Sequence, residues 1–223
     1  MGKAVQSAPV HLLSVGAFGQ SIGRYLADLY PRVEESIMTG DTLPSFRTVS
    51  GASVHVLATG RPVPRLCEMM DDSCRESGLP FFPLVLDSSV IRLGPVFVRG
   101  QGGCWKCWVR RSAQHAEWAK ERSALVQYYS SNAGAGPRGY LEPFAMIAAS
   151  QIAQTVRVLE SSSEIAGYIW QMDLLTRLIS TSRLVGIHDC PRCGLHRPAP
   201  MRSVQEMKDA LGHLWIGKPG EPG

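Results

Sequence analysis

Two Cys-x-x-Cys pairs, Cys104 with Cys107 and Cys190 with Cys193, constrain this chain more than any other feature of its sequence. Each pair can turn two thiolates toward one ion, and two pairs complete a tetrahedral four-sulfur site. The pairs lie about eighty residues apart, so a shared ion must clip the middle of the chain to its C-terminal part. Protein atoms fill every coordination position of such a site, which makes its zinc structural rather than catalytic. The second pair, Cys190-Pro191-Arg192-Cys193-Gly194, is a zinc knuckle by residue type as well as by spacing. A redox Cys-x-x-Cys at a helix start and a four-cysteine iron–sulfur cluster are the rival chemistries. His188 and His196 flank the knuckle and read as neighbours or exposed side chains, because four thiolates already suffice. Cys67 and Cys74, seven residues apart on one helical stretch, read as core or surface thiols.

The compartment matters to that reading. No stretch has the basic start, apolar middle and small-residue cleavage site of a secretory signal, and no run approaches the roughly 18 apolar residues of a membrane span. The expected location is therefore the cytoplasm, where thiols stay reduced and serve metals in preference to disulfides. With 44% hydrophobic and 19% charged residues and a net charge of +4, the chain has the polarity of an ordinary folded protein. It is not that of a nucleic-acid coat or a disordered tail. Arg99, Lys106, Arg110 and Arg111 with Trp105 and Trp108 interleaved have the composition of a nucleic-acid patch. Cations gathered beside thiolates explain the same run, and no nucleic-acid partner is expected.

The chain opens with an apolar run over 10–15, then Gly16, Gly19 and Gly23, then an amphipathic stretch over 24–30. Strand, glycine turn and helix in this order begin most nucleotide-binding α/β folds. Here, however, Phe18 occupies the place of the second glycine of G-x-G-x-x-G, and its benzyl group would stand where a phosphate should lie. A second strand is predicted over 53–59, and no acidic residue follows Thr59 to hold a ribose. The segment reads as a retained fold without tight nucleotide binding, and ATP is not expected on this chain.

Beyond it, a helix is predicted over 64–78, with Leu66, Met69, Met70 and Cys74 on its apolar face and Gly78 as its C-cap. Strands follow over 81–86 and through 90–98, the latter punctuated by Gly94-Pro95. A polar helix over 112–129, a loop over 130–139 and an apolar helix over 143–159 come next, the last burying Phe144, Ile147, Ile152 and Val156. Leu174-Leu175 and 184–187 are late strand candidates. The predicted class is α/β, with a mostly parallel Rossmann-like sheet, helices on both sides and a structural zinc site. One domain is expected over 1–216 and a disordered tail over 217–223. His11 and His55 fall in apolar strands and read as satisfied core histidines. There is no Gly-x-Ser-x-Gly elbow and no Walker lysine; Asp87 is a lone carboxylate, with Asp41, Asp71 and Asp72 weaker still. No catalytic residue is assigned.

Three segments together carry a resemblance: Val15-Gly16-Ala17-Phe18-Gly19; Arg92-Leu93-Gly94-Pro95-Val96-Phe97-Val98 through Cys104-Trp105-Lys106-Cys107; and Asp173-Leu174-Leu175-Thr176 through Cys190-Pro191-Arg192-Cys193. In this order they resemble the ThiF-like (ubiquitin-activating-enzyme-like) adenylyltransferase superfamily. Within it, they are similar to the cyclodehydratase-associated branch of bacteriocin and other ribosomal-peptide biosynthesis. The resemblance implies a protein that helps to install thiazoline and oxazoline rings in a ribosomally made precursor peptide. In that branch the ThiF-like member does not activate the amide; a YcaO-type partner consumes ATP, while this member docks the precursor peptide and stimulates the partner. A flavin-dependent dehydrogenase and a second copy of the chain complete the implied partners. Phe18 and the missing ribose acid agree with a non-catalytic role. The first strand begins about ten residues in, so no winged-helix domain is expected ahead of it to grip a leader peptide. Two other readings stay open: an active adenylyltransferase, with Gly16, Gly19 and Gly23 on ATP phosphates and Asp87 on magnesium, and an interaction module with a zinc-pinned α/β core.

Overall fold

A computed structural model describes residues 9–38, 51–114, 118–132, 135–137, 139–188 and 190–194. The near-continuous apolar runs of β1 (Val10–Val15), β3 (Val54–Thr59) and β4 (Phe81–Asp87) suit strands covered on both faces, which is where parallel strands occur. They pair in parallel, and β2 (Val33–Met38) joins the far side of β1, also in parallel. Three antiparallel strands then extend the sheet: β5 (Val90–Leu93), β6 (Tyr168–Asp173) and β7 (Ile179–Arg183). The order is β2-β1-β3-β4-β5-β6-β7.

Successive side chains of β1 take opposite faces, so Leu12 and Leu13 seed two separate cores. On Leu12's side, α1 (Gly16–Leu29) and α5 (Glu142–Ser161) bury Ile22, Leu26, Ile152 and Val156 against Val56 and Leu84. On Leu13's side, α2 (Pro64–Ser77) and α3 (Trp105–Gln114) bury Leu66, Met70 and Trp105 against Leu57, Phe81 and Phe97. The expected α/β class, with its sheet flanked by helices on both sides, is what the chain forms, in a mixed sheet whose first four strands are parallel. α2 matches its prediction closely, with Gly78 closing it in the left-handed conformation at φ 78°.

Several expectations are corrected. The sequence Val-Glu-Glu-Ser-Ile-Met forms β2, a polar edge strand that offers no apolar run to read. The strand predicted as second is thus third in the chain. The strand whose end would carry a ribose acid is therefore β2, which ends at Met38, and not the one ending at Thr59; Asp41, beyond Met38, lies outside the described residues. Gly16–Gly23 is not a turn before a helix but the first two turns of α1 itself. The single polar helix over 112–129 is two helices, α3 and α4 (Ala119–Ser131). α4 also takes in the start of the expected loop at 130.

In α5, Ile152 and Val156 are buried as expected, whereas Phe144 and Ile147 are half-buried. The late strands are β6 and β7, not Leu174-Leu175 and 184–187. The apolar doublet falls in a tight turn, where Asp173 Oδ1 accepts the N–H groups of Leu175 (2.9 Å) and Thr176 (2.8 Å). β7 is too exposed to carry an apolar pattern. The expected tail over 217–223 lies outside the described residues. Among those described, no helix is long and apolar enough to cross a membrane.

Candidate metal centre

The four knuckle cysteines converge. Their Sγ atoms lie within 4.8 Å of one another, at 3.8 Å for Cys104–Cys107, 3.6 Å for Cys104–Cys190 and 3.4 Å for Cys107–Cys193. A zinc ion with Zn–S bonds of about 2.3 Å in a tetrahedron sets S···S separations of about 3.8 Å, so the residues present fit such an ion. Cys104, Cys107 and Cys190 are buried and Cys193 is half-buried. The sequence places the first pair at a helix start: Cys104 immediately precedes α3, its carbonyl accepting the Trp108 N–H at 3.0 Å, and Cys107 sits in the first turn. Positive partial charge at that terminus favours thiolates.

The second pair rides on a tight knuckle. Cys190 N–H donates to Ile187 O at 3.2 Å and Gly194 N–H to Cys190 O at 2.7 Å. Ile187 N–H also reaches Cys107 Sγ at 3.3 Å, a donor from one half of the site to a sulfur of the other. A Cβ on Gly194 would stand 2.5 Å from His188 O, so the knuckle closes only with glycine there. At Gly103 the neighbours are side chains, a Cβ there lying 2.9 Å from Leu184 Cδ2 and 3.0 Å from Cys107 Cβ.

Burial pushes the Cys104 thiol well up and that of Cys193 up to about 11. At Cys190 burial also works upward, but the N–H groups of Arg192 and Cys193 outweigh it and bring the thiol down to about 6. Cys104 and Cys193 thus keep their protons in the bare cluster, and a divalent cation must displace them on binding. Cys67, up to about 12, and Cys74, higher again, are raised by burial in the α2 core and are inert.

Sequence reasoning missed what anchors the cluster. Asp71, named only as a weak carboxylate candidate, is buried on α2 and accepts the backbone N–H of Trp105 at 3.1 Å, capping α3 from outside. Its carboxylate also meets Arg75 at 3.3 Å and Arg192 at 3.5 Å. Arg192, between the two knuckle cysteines, reaches Glu68 at 3.7 Å and Asp72 as well. Burial pushes the Asp71 carboxyl up, against the pull of Arg75, the Trp105 N–H and Arg192. One acid therefore ties α2 to both halves of the site. The only signal in the sequence was an arginine inside the knuckle.

The remaining candidates have structural partners. Trp105 is buried edge-on to Phe97, and Trp108 lies under the Arg92 guanidinium at 4.7 Å, so both indoles of the basic run are committed. His188 is exposed, and His196 lies outside the described residues. His11 and His55 are buried across β1 and β3, Nδ1 to Nδ1 at 2.9 Å, and His11 Nε2 meets Ser36 Oγ on β2 at 2.9 Å. Asp87 ends β4 at the turn into β5.

Gly16 takes φ +71° at the start of α1, while Gly19 and Gly23 serve packing: a Cβ on Gly19 would meet Ala58 O at 2.5 Å, and one on Gly23 the Glu35 carboxylate. Phe18 is buried beside them, its ring 5.1 Å from Tyr140, whose hydroxyl donates to Ala17 O. The pair stands at the carboxyl ends of β1 and β3, where open α/β sheets take their ligands.

Comparison with solved structures gives matches over most of the chain. The heterocyclase TruD matches with a TM-score of 0.60 at 21% identity, covering 83% of this chain and 27% of that one. A chain of the E. coli microcin synthetase McbBCD complex matches at 0.60 and 15%, covering 85% and 71%. E. coli MccB matches at 0.59 and 14%, covering 87% and 67%. The chain thus spans about a quarter of the length of the heterocyclase. No protein-family model matches the sequence, and no curated protein does. At these identities the likeness carries the fold: this chain has the fold found in a heterocyclase, in a microcin synthetase complex and in MccB.

Proposed function

We propose that this chain is a non-catalytic scaffold or activator subunit of a cyclodehydratase complex that installs thiazoline and oxazoline rings in a ribosomally made precursor peptide. It works beside a YcaO-type subunit that consumes ATP, with a flavin-dependent dehydrogenase as a further partner. One structural zinc, held by Cys104, Cys107, Cys190 and Cys193, pins α3 to the knuckle; the ion supplies cross-linking and no chemistry.

The observation that carries the non-catalytic part is the occupation of the ligand end of the sheet by Phe18 and Tyr140. A buried aromatic ring on the first turn of α1 occupies space that a phosphate would need, and Gly19 and Gly23 are spent on helix–strand contact. The fold match to a heterocyclase supports the reaction class. The test is reconstitution: precursor peptide, YcaO-type subunit and ATP with and without this chain, followed by mass spectrometry for the loss of one water per ring. Rings formed equally fast in its absence would end the activator reading.

A specific likeness favours a second reading. MccB in a structure with ATP matches at a TM-score of 0.58 and 14% identity. On that reading the chain is an active adenylyltransferase, with Gly16, Gly19 and Gly23 near the phosphates and Asp87 near magnesium. ATP–pyrophosphate exchange by the isolated chain would establish it and displace the scaffold.

A further inference from the structure

The sheet ends in an unusual strand. Every residue of β7 is exposed, and among the described residues no strand pairs with its outer edge. The ladder to β6 shows which groups face outward. Leu184 N–H donates to Gly167 O and Asp173 N–H to Leu178 O, so these opposed residues are hydrogen-bonded pairs. In an antiparallel ladder such pairs alternate, which gives Ser180 and Ser182 to β6 and turns the N–H and C=O groups of Ile179, Thr181 and Arg183 outward.

Proteins usually blunt such edges with charge, and β2, at the other end of this sheet, does so with Glu34 and Glu35. β7 carries Ser-Thr-Ser at its centre instead. The hairpin is also held in place: Asp173 fixes the turn through Leu175 and Thr176, and Leu174 N–H donates to Ser89 O at 2.7 Å. Beside β7, on the α5 face, lies a cleft of about 360 Å³ lined by Gln151, Gln154, Val158, Glu164 and Arg183 among others. Alternate side chains of an added strand would project toward it.

We infer that β7 binds an extended, acidic peptide segment by strand addition, through the outward backbone groups of Ile179, Thr181 and Arg183. Charge selects the occupant. Arg183 closes the strand and Arg177 lies two residues before it, both exposed; of the acids nearby, Asp173 accepts the N–H groups of its own turn and Glu164 lines the cleft beside Arg183. Pairing with β7 of a second copy would bring arginine beside arginine, whereas an acidic segment meets both. The inference does not depend on the cyclodehydratase reading.

The test uses the full chain and fluorescein-labelled hexapeptides of alternating Glu and Val, with alternating Lys and Val as the control. The acidic peptide is expected to bind and to slow amide exchange at Ile179, Thr181 and Arg183. Thr181→Pro removes an outward N–H without touching the β6 ladder, a placement proline tolerates on edge strands. It should weaken binding by at least about tenfold at unchanged thermal stability, and Arg183→Glu should reverse the preference between the two peptides. Equal binding of both peptides, slowed exchange elsewhere, or protection of these amides through self-association without peptide would each overturn the inference. Should Thr181→Pro melt early, the exchange pattern of the unaltered protein decides.

Discussion

Asp71 and Arg192 meet at 3.5 Å with their side chains 1% and 12% exposed, and through this pair α2 holds the C-terminal knuckle. The same carboxylate caps α3, so its loss frees both halves of the metal centre at once. Removing Asp71 breaks three contacts at once, to the Trp105 N–H, Arg75 and Arg192, which costs about 3–5 kcal/mol even though Arg192 keeps Glu68 and Asp72. Asp71→Ala is expected to lose that much in chemical denaturation. Arg192→Met should lose less, about 1–3 kcal/mol, because Asp71 keeps Arg75 and the Trp105 N–H. Equal losses would show that the two do not act as described.

Elemental analysis of the purified protein should give about one zinc per chain. Cys104→Ser, at a wholly buried ligand, should abolish metal retention and cooperative melting, since metal affinity is part of the folding free energy. Cys193→Ser, at the half-buried position, should weaken retention less. Full metal content in Cys104→Ser would refute the four-sulfur site.

The glycines of α1 separate packing from helix propensity. A Cβ on Gly19 meets the backbone oxygen of Ala58, which cannot yield, so Gly19→Ala should destabilise by about 1–3 kcal/mol. A Cβ on Gly23 meets only the side chain of Glu35, an exposed residue free to move. There the roughly 1 kcal/mol gained from alanine in a helix should leave Gly23→Ala neutral or more stable. Thermal melts of the two variants check the contrast.

His55 sets an acid limit. Burial, with the neighbouring His11, lowers its pKa from 6.5 to about 4, so the unfolded chain takes up a proton there before the folded one does. The neutral-histidine contribution is complete above about pH 6.5 and is lost as the pH falls toward 4, on the order of 3 kcal/mol in all. Denaturation of the metal-loaded protein should show this slope, and the same measurement on His55→Asn should show it flattened by that amount.

Much of this architecture is legible in local pattern. β1, β3, β4 and α2 are apolar runs or stripes bounded by glycine and proline, and their burial follows from composition. β2 and β7 were missed because edge strands need no apolar face. β6 is masked in the sequence by the apolar doublet Leu174-Leu175, which the Asp173 side chain draws into a turn. The four cysteines that converge are legible in the spacing, whereas their support is not. Asp71 lies 33 residues before Cys104, and nothing along the chain marks it as partner to Trp105 and Arg192.

The sequence by itself determined the chemistry: four thiols in two turns, a phenylalanine where a phosphate loop needs glycine, and enough apolar residues for a two-sided sheet. Tertiary structure alone decided the company those residues keep. Only the folded sheet brings Phe18 beside Tyr140, sets Gly19 against Ala58 and, among the described residues, leaves the outer edge of β7 without a paired strand. Ligand spacing is a short-range covalent property, whereas burial, pairing and charge compensation depend on segments far apart in the chain, whose meeting no local pattern encodes.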